Sequence, residues 1–96
     1  MLPELEAFTL VLGERFLMQT PGTGTAPHAA SLIEAHALGR DQLGRQAFSL
    51  VFEGPAAPVL PQQIYRLEHP AMDAMEMFLV PVGLSTNGVR YEAVFT

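Results

Sequence analysis

The clearest alternation in the chain runs from Gln46 to Glu53, where Phe48, Leu50 and Phe52 fall on one side of an extended strand. The C-terminal stretch repeats it, with Tyr91, Ala93 and Phe95 on one side and Arg90 and Glu92 on the side that suits water. Between these two lies a stretch that does not alternate. Phe78, Val80 and Val82 occupy one phase, and Met75, Met77 and Leu79 occupy the other. A strand apolar on both sides is covered on both sides, or its phase switches at a bulge. Pro81 has no N–H to give to a ladder and so favours an edge or a bulge.

Asn87-Gly88 carries the composition of a two-residue type I′ turn, whose central positions both need positive φ. With that loop, Thr86 pairs with Val89, Leu84 with Tyr91, Val82 with Ala93 and Val80 with Phe95. This register predicts a core of Phe48, Leu50, Phe52, Val80, Val82, Tyr91 and Phe95, with Phe78 also inward. It sends Leu79, Met75 and Met77 outward, beside Tyr65 and Leu67. A preceding hairpin is expected to turn over His69 to Asp73. There Tyr65 would face Leu79, Leu67 would face Met77, and Glu68 would face Glu76, a mild like-charge cost.

Towards the N-terminus, Pro3 to Leu12 reads as a short helix. Pro3 suits the first helical position, Glu4 and Glu6 sit at the positive end of the dipole, and Leu5, Phe8, Thr9 and Leu12 form a stripe. Gly13 is a natural stop. The rival reading makes Phe8–Leu12 a strand. Glu14 to Gln19 reads as a strand and Thr20 to Pro27 as a loop. Ala29 to Leu38 permits either a helix or a strand with Ile33 inward, and its neighbourhood favours the strand. Gly39 to Gly44 reads as a turn, and Gly54 to Pro61 as a proline-rich connection. The expectation is one domain over residues 1–96. Its class is mainly β: a small antiparallel barrel or roll of five to six strands with a short N-terminal helix. An Sm-like or SH3-like variant is among the candidates.

Composition narrows the function classes. Hydrophobic residues make up 49 % of the 96 and charged residues 16 %, which leaves little charge to cover the surface and predicts exposed apolar area. Net charge is −5, with five arginines scattered singly and no lysine, so the basic stripe of a nucleic-acid binder is missing. Without cysteine there are neither disulfides nor thiolate metal sites. No apolar run approaches the ~20 residues of a membrane span. Glu4 and Glu6 stand where an export signal carries positive charge, so a cytoplasmic protein is expected.

No catalytic constellation emerges. His28 and His36 are eight apart, unlike common zinc spacings, and His69 precedes a proline where its ring can bond to turn backbone. Gly22 and Gly24 lack the lysine and context of a phosphate loop, and Ser31, Ser49 and Ser85 lack a nucleophile elbow. Glu34, Glu53, Glu68, Glu76 and Glu92 read as solvated charges rather than an acid–base pair. No cofactor, metal or enzymatic activity is expected. Met72, Met75 and Met77 suit an adaptable contact surface. The expected interface is therefore Tyr65, Leu67, Met75, Met77 and Leu79, covered by the N-terminal helix or, preferentially, by a second subunit. The leading expectation is a structural or protein-interaction module. The alternative is an Sm-like RNA-binding oligomer, with Arg66 and Arg90 as its RNA contacts. A weaker alternative is a small-ligand-binding barrel.

Several blocks carry a family resemblance: Phe48-Ser49-Leu50-Val51-Phe52-Glu53-Gly54-Pro55, Leu60-Pro61-Gln62, Tyr65-Arg66-Leu67-Glu68-His69-Pro70, Phe78-Leu79-Val80-Pro81-Val82 and Tyr91-Glu92-Ala93-Val94-Phe95. In this order they are similar to a family of small bacterial domains of unknown function. The resemblance covers the second half well and the first half loosely. Asp73 stands where the family pattern has a turn glycine. The resemblance implies a bacterial source and no particular activity. Some such domains accompany phage-tail-like fibre proteins, which implies a fibre protein as one candidate partner. The order of elements, though no sequence motif, also resembles the Sm-like arrangement.

Overall fold

The computed structural model describes residues 4–22 and 26–96. A short helix, α1 (Leu5–Thr9), precedes six strands: β1 (Arg15–Gln19), β2 (His28–Arg40), β3 (Gln46–Gly54), β4 (Gln63–His69), β5 (Met72–Ser85) and β6 (Gly88–Phe95). All pairings are antiparallel, and they close into a ring in the order β1-β2-β3-β6-β5-β4. The fold is thus mainly β with a short N-terminal helix, as the alternation predicts, and of the barrel or roll expected it is the barrel, with its ring closed. Closure comes from β1 lying against β4, with Met18 opposite Leu67. Closing the ring removes most of the open sheet edge through which such strands aggregate.

Two long strands make closure possible by changing neighbours along their length. β5 pairs with β4 from Met72 to Leu79 and with β6 from Val80 to Ser85. β2 pairs with β1 from His28 to Ser31 and with β3 from Ser31 to Arg40. Its register shifts between Leu32 and Glu34, so Leu32 is buried inside while Ile33, expected inward, sits half-buried at the irregularity. The β2–β3 turn is closed by Asp41, whose carboxylate accepts from the backbone N–H groups of Arg45 and Leu43 and from the Arg45 guanidinium. Those bonds, the Arg45 N–H first, hold the Asp41 carboxyl below its usual value despite some desolvation.

The helix is shorter than predicted, and Pro3 lies outside the described residues. Past Thr9 the backbone tightens, with Val11 N–H bonding to Phe8 O and Leu12 N–H to Thr9 O. An i→i+3 turn carries three residues per turn. Val11, not Leu12, therefore follows Phe8 into the core, and Leu12 is exposed. Gly13 ends the segment at φ +87°, and its N–H donates to Leu32 O at 2.7 Å.

The interior is filled by side chains. Phe8 of the helix packs on Phe48 and Phe95 at one end of the barrel, and Phe48 stacks on Phe95 at 4.6 Å. Phe16 meets Phe52 edge-on at 5.2 Å in the middle. Near the end of β3 away from Phe48, two buried tyrosines hold the β3–β4 connection. The Leu60 N–H donates to the Tyr91 hydroxyl, and the Tyr65 hydroxyl donates to Pro61 O. Burying one such large side chain stabilises the fold by about 1.5–3 kcal/mol.

Both hairpins depart from the predicted registers. In the first, His69 pairs with Met72 across a Pro70-Ala71 loop, so Tyr65 faces Met77, Leu67 faces Met75, and Arg66 rather than Glu68 faces Glu76. In the second, Ser85 pairs with Gly88 and the loop is Thr86-Asn87. Among the described residues no non-glycine has positive φ, so Asn87 does not form a type I′ turn. Gly88 is required for another reason: a Cβ there would overlap the carbonyl oxygen of Gly54 on β3.

The larger correction is a bulge. Pro81 faces Tyr91 and Gly83 faces Arg90, which leaves Val82 without a partner. One extra residue inverts every side chain that precedes it on the strand. Leu79 and Met77 therefore point inward and are buried, whereas Phe78 and Val82 are about half exposed and Val80 is intermediate. Of the predicted core, Phe48, Leu50, Phe52 and Tyr91 are buried, Phe95 packs against the core partly buried, and Val82 lies outside. The bulge near Pro81 is the alternative that the proline suggests in the sequence.

Candidate interaction surface

The residues expected to form an interface are together, but on the inner side. Tyr65, Leu67, Met77 and Leu79 are between 0 and 5 % exposed, and Met75 packs partly buried against them. They need no second subunit to cover them, because they lie inside the barrel in one core with Phe8 of the helix and Val11.

The same inversion turns another apolar set outward. Ile64 and Phe78 face each other across β4 and β5. Val80 lies two residues along β5, opposite Glu92 of β6, and Val94 lies two residues beyond Glu92 on the same side. Ile64, Phe78, Val82 and Val94 are 51–54 % exposed, with Val80 half-buried between them. This row crosses three strands that carry their own complete core on the other side. The hydrophobic alternation predicts that an apolar face remains outside; it misassigns which one.

Charged groups border the row. Arg66 on β4 faces Glu76 across the strands, yet its guanidinium turns to Glu68 at 3.3 Å. Arg90 on β6 turns to Glu34 of β2 at 3.5 Å, where Glu34 also meets His36 at 2.8 Å. Glu53 accepts the Ser85 hydroxyl. Among the described residues, the carboxylates of Glu76 and Glu92 take part in no hydrogen bond or ion pair. The two arginines named for RNA contact thus lie on β4 and β6 with β5 between them, each already engaged by a carboxylate.

His69 forms a separate polar site at the end of β4. Its side chain is 5 % exposed, its Nε2–H donates to Glu14 Oε1 at 2.7 Å, and its Nδ1 accepts from the Ala71 N–H at 3.0 Å. The ring lies against Phe16 at 4.8 Å. Accepting at Nδ1 fixes the tautomer. The ring bonds to turn backbone as its position before Pro70 suggests, and it also ties the segment before β1 to the β4–β5 turn. A shallow open depression beside it is lined by Arg15, Leu17, Glu68, His69 and Pro70, with no hydroxyl or thiol nucleophile in that lining. His28, His36 and His69 stand apart, and among the described residues no three His, Cys, Asp or Glu side chains are grouped to hold a metal ion. The Gly22–Gly24 loop falls partly outside the described residues. Among the described residues no helix is long and apolar enough to cross a membrane.

Comparison with curated proteins and with solved structures gave no match. A family model, however, matches residues 3–95, which include α1 and all six strands. The chain therefore belongs to the family described as "Domain of unknown function (DUF6916)".

Proposed function

We propose that this domain is a non-enzymatic protein-interaction module that docks a partner on the outer face of β4, β5 and β6. The observation that supports the reading is the row Ile64, Phe78, Val80 and Val94, with Val82 beside it, left about half exposed on a barrel whose core is complete without it. Contiguous apolar surface of this kind is where soluble domains bind other proteins. A ligand site inside the barrel would instead require the buried Phe16, Phe52, Leu50 and Leu67 to move aside.

The test is site-specific. A photo-crosslinking phenylalanine analogue is placed at Phe78, and a control at the exposed Gln42, in the native host. The expected result is a discrete adduct from position 78 and none from 42, with binding to the purified adduct protein lost on Phe78→Ser. Identical adducts from both positions, or none from 78, overturn the reading.

A further inference from the structure

The outer face presents a specific charge pattern to whatever covers it. We infer that its occupant is a cationic, apolar segment of another protein rather than a second copy of this chain; the inference rests on the docking face proposed above. Three observations lead there.

The first is the pair of unengaged carboxylates. Glu76 stands two residues before Phe78 on β5, and Glu92 stands opposite Val80 on β6. Arg66, directly across from Glu76, and Arg90, two residues before Glu92 on β6, direct their guanidinium groups to Glu68 and Glu34. The apolar row therefore has, at each of two opposite corners, a carboxylate that forms no ion pair among the described residues. Four residues along the strand and one strand across place these corners about 14 Å apart. A partner that brings apolar side chains between two lysines or arginines at that spacing matches both the row and its ends.

The second observation is what a second copy lacks. The chain has five arginines and no lysine. Arg40 donates to Gly44 O, Arg45 binds Asp41, and Arg66 and Arg90 are engaged as above. Among the described residues only Arg15 is left of the five arginines, on β1 beside the His69 depression. A symmetric pair would bring the same acidic corners together on two chains that each carry −5.

The third is area. Five partly exposed aliphatic and aromatic side chains offer on the order of 400 Å². Buried against its own copy, that face would hide about 800 Å² in total, the size of a packing contact and well below a standard interface. A short segment seated on it needs no more.

The experiment is a titration of the ¹⁵N-labelled chain with two blocked peptides. One alternates lysine with valine; the other has glutamate in place of lysine. Sedimentation equilibrium of the chain alone at tens of micromolar accompanies it. The expected result is a monomer and saturable shifts from the cationic peptide at the amides of Ile64, Phe78, Val80 and Val94. Affinity should fall about threefold to tenfold in Glu76→Gln with Glu92→Gln, as for two exposed ion pairs. It should be lost in Phe78→Ser, with a dispersed spectrum confirming that each variant folds. Equal binding of the two peptides, or no effect of the glutamine pair, overturns the inference and leaves the docking face standing. A dimer that Phe78→Ser dissociates also overturns it, and gives the same face to a second copy. Shifts away from the face, indifferent to Phe78→Ser, or no saturable shifts at millimolar cationic peptide, overturn it too, and the first of these removes the face as well.

Discussion

At the scale of single residues, several side chains do work that their type alone suggests, at partners the sequence does not reveal. His69 bonds to the turn that follows it, as a histidine before a proline readily does, but its other nitrogen reaches Glu14, 55 positions away. Tyr65 and Tyr91 bury their rings and spend their hydroxyls on the β3–β4 connection. Burial, above all, raises the Tyr65 phenol above its usual value of 10.0, with the neighbouring Tyr91 adding to the effect and a hydrogen bond from Gln63 opposing it. The unfolded chain loses this proton first, so the contribution is fully present below about pH 10 and is lost as pH rises through the folded value. Urea titrations at pH 9 and pH 11 should therefore show the stability advantage of the wild type over Tyr65→Phe shrinking at the higher pH. An advantage that grows instead would mean the hydroxyl is not buried as described.

At the scale of elements, the bulge at Val82 decides more than any other local feature. Adjacent residues of β5 then have opposite fates: Phe78 is 52 % exposed and Leu79 is 0 % exposed. Leu79→Ala should cost about 2–5 kcal/mol, the usual loss for a large core residue. Phe78→Ser should stay within about 1 kcal/mol, as for a surface change away from the core. Chemical denaturation of the two variants measures both, and the reverse order would restore the unbulged register. The strands themselves were legible, since Phe48, Leu50 and Phe52 of β3 and Tyr91 and Ala93 of β6 each fall on one side, although Ser49 and Val51 on the other side of β3 are buried too. The bulge was legible only as an option offered by Pro81. A two-residue period says that two sets of side chains separate, and a single inserted residue is enough to exchange them.

At the scale of the whole molecule, ring closure settles what covers what. Tyr65, Leu67, Met75, Met77 and Leu79 look like one apolar face in the sequence, and they are one face. The ring formed by β1 against β4 and β3 against β6 makes it the inside. Met77→Glu with Leu79→Glu should therefore unfold the protein and not merely dissociate an assembly, because two carboxylates would be buried without partners. Far-ultraviolet circular dichroism with sedimentation on the double variant checks this. A folded monomer would return those residues to the surface. The face left outside, crossed by Phe78 between Glu76 and Glu92, is the one proposed above for docking.

Much was determined by the sequence alone. Alternation at β3 and β6, the stop at Gly13 and the turn residues around Asp41 and Pro70 are local, so each stretch carries its own signal for strand, helix end or loop. The low charge and the excess of apolar residues likewise announce that some apolar surface stays exposed. Only the tertiary structure decided which surface that is. Inside and outside of a barrel are properties of the closed ring, set by pairings between distant strands and by how closely their backbones approach. Gly88 illustrates the difference: its place near a hairpin turn is visible locally, but its need to lack a side chain arises from Gly54 of another strand.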